Sequence, residues 1–390
     1  MNSVEQHAIG ELGTGKTRMS WFSWRSLGRS PLLEIEVMSV LVITSYIAMG
    51  IIGAGIETPE DGMSALGILG VIAGFFLLSF AIACLAVIAG IGGGVIFTPV
   101  MLAFTGVDSV IVRGTGLIVA MFSGLISTGP FMRRGLANLR IVILLVCAYS
   151  VGAFAGAQGA IMIAENMGQT GEALVRIALG IIVFVIAGYF IWGGTKMEWP
   201  EVKKVDGFTK RLGIPMPYYE ASLDKVVEYV VHRAHWGMLA IFVVGLIGGF
   251  FGMGGGWAAV PAMNMIMGIP LKVAAACSGV LLGMGDCVAV WPYLLAGALI
   301  PLFVAPWLVG QVLGGIAGSY LLVRIKAGFV RSMLIGLLVF TGFALVTKGM
   351  TLAGVIDDVP FTVNGALFIV IAICVFLSMT GRLRNPLRRS

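Results

Sequence analysis

The sequence predicts an all-α polytopic membrane protein built from two inverted-topology repeats of about five helices each, with a peripheral span before the first repeat and another after the second. Three observations predict this fold class. The chain is 58% hydrophobic and 11% charged, with a mean hydropathy of +1.01, whereas a soluble domain carries about 25% charged residues. The charged residues cluster between long apolar runs, and two glycine-rich stretches recur at one fixed spacing.

The apolar runs have the lengths that membrane crossings need. The 46 uncharged residues between Asp61 and Asp108 fit two crossings of about 20 residues each. The 38 uncharged residues between Arg233 and Lys272 fit two crossings only if one is short. Because lipid offers no hydrogen-bond partner to the backbone, we read these runs as helices. They lie at roughly 37–56, 65–88, 92–104, 113–131, 141–163, 174–193, 236–251, 254–267, 273–292, 300–323, 332–349 and 361–380.

These spans divide the chain into seven regions. The two repeats are separated by a polar loop, in which Tyr218–Trp236 has the composition of an amphipathic helix lying on the inner leaflet. In chain order we expect a cytoplasmic tail at 1–36, a peripheral span at 37–56, the first repeat at 57–193, a cytoplasmic loop with an interfacial helix at 194–235, the second, inverted repeat at 236–349, an outer loop and last span at 350–380, and a basic cytoplasmic tail at 381–390.

The distribution of charge predicts the orientation. With the N-terminus inside, 22 of the 25 Lys and Arg residues fall on the inner side, and Arg113, Arg176 and Lys348 fall on the outer side. Basic residues favour the cytoplasmic side of a membrane protein. We therefore expect a multi-pass protein of the bacterial inner membrane with both termini in the cytoplasm. The same distribution explains the net charge of +6 without a nucleic-acid partner.

An internal repeat appears at an offset of 162 residues. The first glycine turn, Gly90–Gly94, falls on the second glycine turn, Gly252–Gly256, and Pro99 falls on Pro261. Nine glycine pairs match at this offset, well above chance. The predicted orientation makes the two copies antiparallel, which is the architecture of alternating-access transporters.

The glycine turns are the strongest candidates for a substrate site. Each interrupts an apolar run and precedes an unusually short helix, and such segments at equivalent places in two halves indicate a transport site. A helix N-terminus exposes unpaired N–H groups and partial positive charge, which favour an anion. The alternative is that the glycines only allow close helix packing. The candidate ligands here are Gly92, Gly93, Gly94, Gly254, Gly255 and Gly256.

Polar side chains in the neighbouring spans extend this candidate site. They are Thr115 and Ser123 in the first half and Asn264 and Ser278 in the second. Asp286 is the single carboxylate inside a predicted span, and an intramembrane acid indicates function by default. We expect it to carry a coupling proton, unless it lies at a hydrated helix end. Gln158 and Gln311 are expected to link helices by hydrogen bonds.

Other classes of site are not expected. Gly10–Thr17 matches the nucleotide-binding P-loop pattern, but there is no room around it for the required α/β domain, so we expect no bound nucleotide. The cysteines form no disulfide or metal-binding pattern, and His232 and His235 lack a partner acid. We expect no metal, no cofactor and no enzymatic activity. The expected partners are a small anion and the lipid bilayer, and a homodimer is compatible with the sequence.

The motifs resemble those of a known family. Gly92-Gly-Gly-Val-Ile-Phe-Thr-Pro99 and Gly254-Gly-Gly-Trp-Ala-Ala-Val-Pro261 are similar to the paired motifs of the TauE/SafE family of membrane anion exporters, and the similarity covers about 65–323. The resemblance implies export of sulfite or an organosulfonate such as sulfoacetate. Proton-coupled uptake of a sulfur oxyanion or small carboxylate, and an anion channel, are the alternatives.

Overall fold

A computed structural model describes residues 64–89, 92–133, 137–192, 218–220, 225–322 and 327–357, together with isolated positions elsewhere. Every element below belongs to the compact unit within residues 42–390. The tails at 1–36 and 381–390, the P-loop-like Gly10–Thr17 and the last span at 361–380 lie outside the described residues. So does the first span at 37–56, apart from isolated helical positions.

The first half of the described chain contains four helices. They are α1 (Ala65–Ala89), α2 (Gly94–Phe104), α3 (Ser109–Arg133) and α4 (Leu139–Trp192). The 54-residue α4 is bent at Gly168, where φ is 48° and ψ is −128°, and we call its parts the first limb (139–167) and the second limb (169–192). A left-handed residue with this ψ breaks the helical ladder, and glycine adopts it without a Cβ clash.

The second half repeats this order after a short hairpin. The hairpin strands are β1 (Tyr218–Glu220) and β2 (Lys225–Val227). The helices are α5 (Ala234–Phe251), α6 (Gly256–Pro261) continued by a π-helix (Ala262–Ile266), α7 (Leu271–Leu295), α8 (Pro301–Leu322) and α9 (Ala327–Leu352). Several helices start 162 residues after a counterpart: α6 after α2, α7 after α3 and α8 after α4.

The helices confirm a polytopic membrane protein. Within the described residues, six helices are long and apolar enough to cross a bilayer, and one of them covers both limbs of α4. By contrast, α2 has 11 residues, and α6 with its π-helix spans 256–266. At 1.5 Å per residue each reaches about 16 Å, roughly half of the 30 Å hydrocarbon core.

The hairpin corrects one expectation. Residues Tyr218–Glu220 and Lys225–Val227 pair as antiparallel strands, and the next helix begins only at Ala234. The predicted interfacial helix over 218–236 is therefore wrong for this stretch. Two adjacent tyrosines in one strand and two adjacent valines in the other favour an extended backbone.

Helices of the two halves pack closely against one another. The most extensive contacts are between α4 and α5 and between α8 and α1. A Cβ placed at Gly152 on α4 would lie 2.1 Å from the carbonyl oxygen of Phe242, and one placed at Gly314 on α8 would lie 2.3 Å from that of Phe80. These two contacts are related by the 162-residue offset. Glycine is required at both positions because the backbones touch.

Candidate functional site

The two glycine turns meet inside the protein. Residues 92–94 of the first turn are described. A Cβ at Gly94 would lie 2.8 Å from the carbonyl oxygen of Met253, in the second turn, and 2.8 Å from the Cβ of Ala120 on α3. A Cβ at Gly254 would lie 2.7 Å from the same Ala120 Cβ. The tertiary fold thus brings together two segments that are 162 residues apart, with Ala120 touching both.

The second turn is also held by α2 and α3. Gly252 has a φ of 68°, in the region that glycine adopts without strain, and its carbonyl accepts a 2.7 Å hydrogen bond from the hydroxyl of Thr98. A Cβ at Gly116 would lie 2.1 Å from that carbonyl oxygen. These contacts leave no space for a side chain where the turn meets α3.

Both short helices begin at the glycine turns without a side-chain cap. Gly93 and Gly255 occupy the N-cap positions, and glycine has no side chain that could cap the helix. The N–H of Gly93 itself donates to the hydroxyl of Ser123. The first backbone N–H groups of each helix have no intrahelical partner. Helix starts of this kind attract anions through N–H groups and the helix dipole.

A carboxylate lies beside the second turn. Asp286 on α7 is fully buried. Its Oδ1 accepts a 2.7 Å hydrogen bond from the hydroxyl of Tyr149 on α4, and its Oδ2 has no hydrogen-bond partner. A Cβ at Gly254 would lie 3.0 Å from Oδ2. A buried oxygen without a donor is costly, so this position favours a proton, a cation or a substrate group that can donate a hydrogen bond.

Tyr149 and Gln311 occupy equivalent positions against the two turns. A Cβ at Gly255 would lie 2.5 Å from the Tyr149 ring, and a Cβ at Gly93 would lie 2.4 Å from Nε2 of Gln311. Tyr149 and Gln311 are separated by the same 162 residues as Gly93 and Gly255. The Oε1 atom of Gln311 is buried without a hydrogen-bond partner, so the first turn also has a polar atom available beside it.

The first-half candidates lie at or near the first turn. The hydroxyl of Ser123 accepts a hydrogen bond of 3.4 Å from the backbone N–H of Gly93, and a Cβ at Gly92 would lie 3.9 Å from the same oxygen. Thr115 is buried on α3 next to Gly116, and its hydroxyl has no hydrogen-bond partner. Ser123 therefore lies at the first turn, and the roles of Ser123 and Thr115 in binding stay predictions.

The second-half polar candidates are placed differently. Asn264 lies in the π-helix, and its amide donates a 2.8 Å hydrogen bond to the carbonyl of Ile269, which closes the loop before α7. Ser278 is buried on α7, next to Cys277, whose sulfur accepts a 3.3 Å hydrogen bond from the Asn138 backbone. The structure therefore gives Asn264 a local structural role, and its role in binding stays a prediction, as does that of Ser278.

Sequence reasoning missed three residues of this site: Tyr149, Thr98 and Ala120. The 162-residue offset could have identified Tyr149, because its mate is Gln311, a polar residue within a predicted span. Thr98 stands within the Gly92–Pro99 motif, but its mate at this offset is the apolar Val260, and the mate of Ala120 is Leu282. Within the described residues, no group of three His, Cys, Asp or Glu side chains could hold a metal ion.

The chain is similar to known proteins over most of its length. Residues 75–345 match the profile of the family described as "Sulfite exporter TauE/SafE". A protein of Bacillus subtilis (strain 168) described as "Probable membrane transporter protein YunE" is 23% identical over 271 residues, which cover 67% of this chain and 92% of the relative. No solved structure matches the chain.

Proposed function

The chain belongs to the TauE/SafE sulfite exporter family, and on this basis we propose that it is a secondary transporter that exports a small anion. The substrate is sulfite or an organosulfonate such as sulfoacetate. The protein lies in the bacterial inner membrane with both termini in the cytoplasm, and its two inverted repeats expose the anion alternately to each side.

The meeting of the two glycine turns carries the proposal. Gly94 and Gly254 both touch Ala120, so the starts of α2 and α6 approach one place. Two helix N-termini supply backbone N–H groups and partial positive charge to an anion. Ser123 adds a hydroxyl at Gly93. The site can therefore bind an oxyanion mainly through the backbone.

The recurring contacts support two related halves. Helix starts recur after 162 residues, and the Gly152–Phe242 and Gly314–Phe80 contacts exchange partners between the halves at the same offset. A pseudo-two-fold arrangement produces such exchanged pairs. Together with the charge distribution of the loops, this supports the inverted topology that alternating access requires.

The energetics favour export. The cell interior is electrically negative, so moving one negative charge outward releases about 2.3 kcal/mol per 100 mV. A dianion gains about twice as much. Export therefore needs no nucleotide hydrolysis, in agreement with a chain that we expect to bind no nucleotide.

Asp286 favours proton-coupled uptake as the second candidate function. Its unpaired Oδ2 lies beside Gly254, and an ionised carboxylate at that distance repels an anion. A protonated Asp286 removes the repulsion and can donate a hydrogen bond to the substrate. Binding of proton and anion at one site is what symport requires.

Counterflow in proteoliposomes tests the proposal. Vesicles containing purified protein are loaded with unlabelled sulfite and diluted into a trace of ³⁵S-sulfite, with protein-free liposomes as the control. We expect transient accumulation of label inside the vesicles. Added sulfoacetate should reduce this accumulation by competing with the labelled sulfite. Flux that does not saturate and shows no counterflow would indicate a channel, and competition by carboxylates alone would indicate a carboxylate carrier.

The direction of coupling is tested in the same vesicles. When the vesicles are loaded with ³⁵S-sulfite instead, an inside-negative potential should speed the loss of label. With label outside, an inward proton gradient should cause net accumulation only if uptake is proton-coupled. Absence of counterflow with every sulfur oxyanion would contradict both candidate functions.

A further inference from the structure

Two arginines are buried within the helices of the first half. Arg113 is the fifth residue of α3 and 1% exposed, and Arg176 lies in the second limb of α4 and is 4% exposed. An arginine remains charged in proteins, and a buried charge is costly unless it is paired. Two such residues in the first half of a membrane protein therefore need an explanation.

The pairing of these arginines leaves an excess of positive charge. Arg176 forms an ion pair with Glu172, and this is the one salt bridge found among the described residues. Arg113 bonds only to neutral groups, with 3.0 Å from Nε to the carbonyl of Ser109 and 3.1 Å from Nη2 to its hydroxyl. The Glu172 carboxylate interacts in turn with the hydroxyl and backbone N–H of Ser109. The four side chains thus form one connected cluster with two cations and one anion.

Each arginine also keeps one buried donor without a partner. These atoms are Nη1 of Arg113 and Nε of Arg176. Leaving a buried donor unsatisfied costs free energy, more so for a charged group, and native structures usually satisfy such atoms. The missing partner must be an acceptor, and the net positive charge favours an anionic one.

The cluster adjoins the second glycine turn. A Cβ at Gly252 would lie 2.3 Å from the Cα and the carbonyl oxygen of Arg113, so the backbone of Arg113 touches the turn itself. The start of α3, where Arg113 lies, is the end that the proposed topology places at the outer face. An anion leaving the glycine turns on that side would meet the cluster.

We propose that Arg113 and Arg176 form a second anion-binding site, between the glycine turns and the outer face, which takes a small sulfur oxyanion. This inference rests on the proposed function. Oxygen atoms of the anion accept hydrogen bonds from Arg113 Nη1 and Arg176 Nε, while Glu172 and Ser109 hold the two guanidinium groups in place. The site lowers the cost of moving the anion out of the glycine turns.

Transport from the two sides separates this site from the central one. Half-saturating concentrations of ³⁵S-sulfite are measured by counterflow in right-side-out and in inside-out membrane vesicles. In Arg113→Gln we expect the half-saturating concentration at the outer face, measured in right-side-out vesicles, to rise about tenfold, as the loss of a charged hydrogen bond predicts. The half-saturating concentration at the inner face, measured in inside-out vesicles, should change little. Arg113→Lys keeps the charge and should recover part of the affinity. Arg140→Gln removes an exposed arginine and serves as the matched control.

The outcomes distinguish this site from the proposed function. No counterflow by the wild-type protein in either orientation, with sulfite or with sulfoacetate, would overturn the proposed function. If the wild-type protein shows counterflow and Arg113→Gln leaves the half-saturating concentration at the outer face unchanged, the second site alone would be overturned. An equal loss on both sides would also overturn it, because that result indicates a structural role. Arg176→Gln replaces Arg113→Gln if the latter does not fold.

A binding measurement on the wild-type protein needs no variant. Equilibrium dialysis of the detergent-purified protein against ³⁵S-sulfite should give two sites per chain, and a single site would overturn the proposal. The measurement is repeated with added phosphatidylglycerol. Displacement of sulfite from the second site by this lipid would assign the cluster to an anionic headgroup and would also overturn the proposal.

Discussion

The hydroxyl of Tyr149 donates a 2.7 Å hydrogen bond to Oδ1 of Asp286, and the two residues come from different halves of the chain. The Tyr149 ring lies against Gly255, so the hydrogen bond also joins the carboxyl group to the second glycine turn. Oδ2 has no partner and lies beside Gly254. Any ligand at this turn would therefore lie close to the Asp286 carboxyl group.

Replacing Asp286 by asparagine should change how substrate affinity depends on pH. For a sulfonate, whose charge is constant near neutral pH, wild-type affinity should fall as the pH rises, because an ionised Asp286 repels the anion. Asp286→Asn is neutral at every pH and should keep its affinity. The half-saturating concentration is measured by counterflow from mildly acidic to mildly alkaline pH.

Asp108→Asn is the matched control for this measurement. Asp108 is exposed and its Oδ1 accepts a 2.8 Å hydrogen bond from the backbone of Val110 at the start of α3, a bond that asparagine can also accept. Its pH profile should follow the wild type. Identical profiles for the wild type and Asp286→Asn would show that Asp286 does not titrate beside the substrate.

Tyr149→Phe should destabilise the fold by about 1–3 kcal/mol, because it leaves the second oxygen of Asp286 without a donor. The measurement is the thermal unfolding of the purified protein. A double-mutant cycle with Asp286→Leu isolates the pair, since residues in contact give non-additive changes. Strictly additive losses would mean that the hydrogen bond contributes nothing to stability.

Gly252→Ala should destabilise the protein more than Gly297→Ala. Both glycines have positive φ, 68° and 69°, so both substitutions carry a left-handed strain of about 1–2 kcal/mol. Only Gly252 is also crowded, with a Cβ position 2.3 Å from Arg113, whereas Gly297 has nothing within 4 Å. The difference between their unfolding temperatures therefore measures the contact between the second turn and α3, and equal shifts would contradict it.

Thr98→Val tests how α2 holds the second turn. Valine matches threonine in shape but leaves the carbonyl of Gly252 without its 2.7 Å hydrogen bond, at a cost of about 1–3 kcal/mol. Thr105→Val is the control, because the Thr105 hydroxyl bonds only to Met101 one turn earlier in the chain. We expect lower thermal stability and slower counterflow in Thr98→Val alone. Unchanged counterflow in Thr98→Val would show that transport does not depend on this hydrogen bond.

The sequence by itself determined the class of protein and the segments that matter. Hydropathy and charge are local properties, so they locate most of the helices along the chain without any tertiary contact, and α2 and α6 proved as short as expected. The glycine spacing identified the two turns, because the repeat can be read from the order of residues without knowing which helices pack against the turns. The hairpin at Tyr218–Val227 was missed because its aromatic and β-branched residues suit a strand as well as an amphipathic helix.

Only the tertiary structure decided which side chains reach the turns. Helices such as α1 are apolar on every face, so the sequence contains no amphipathic signal of how each helix is rotated toward its neighbours. The pairing of Tyr149 with Asp286 depends on that rotation. So does the burial of Arg113 and Arg176, which the charge pattern assigns to the outer connections. In a membrane, close packing of small residues sets helix rotation, and packing is a property of the folded chain.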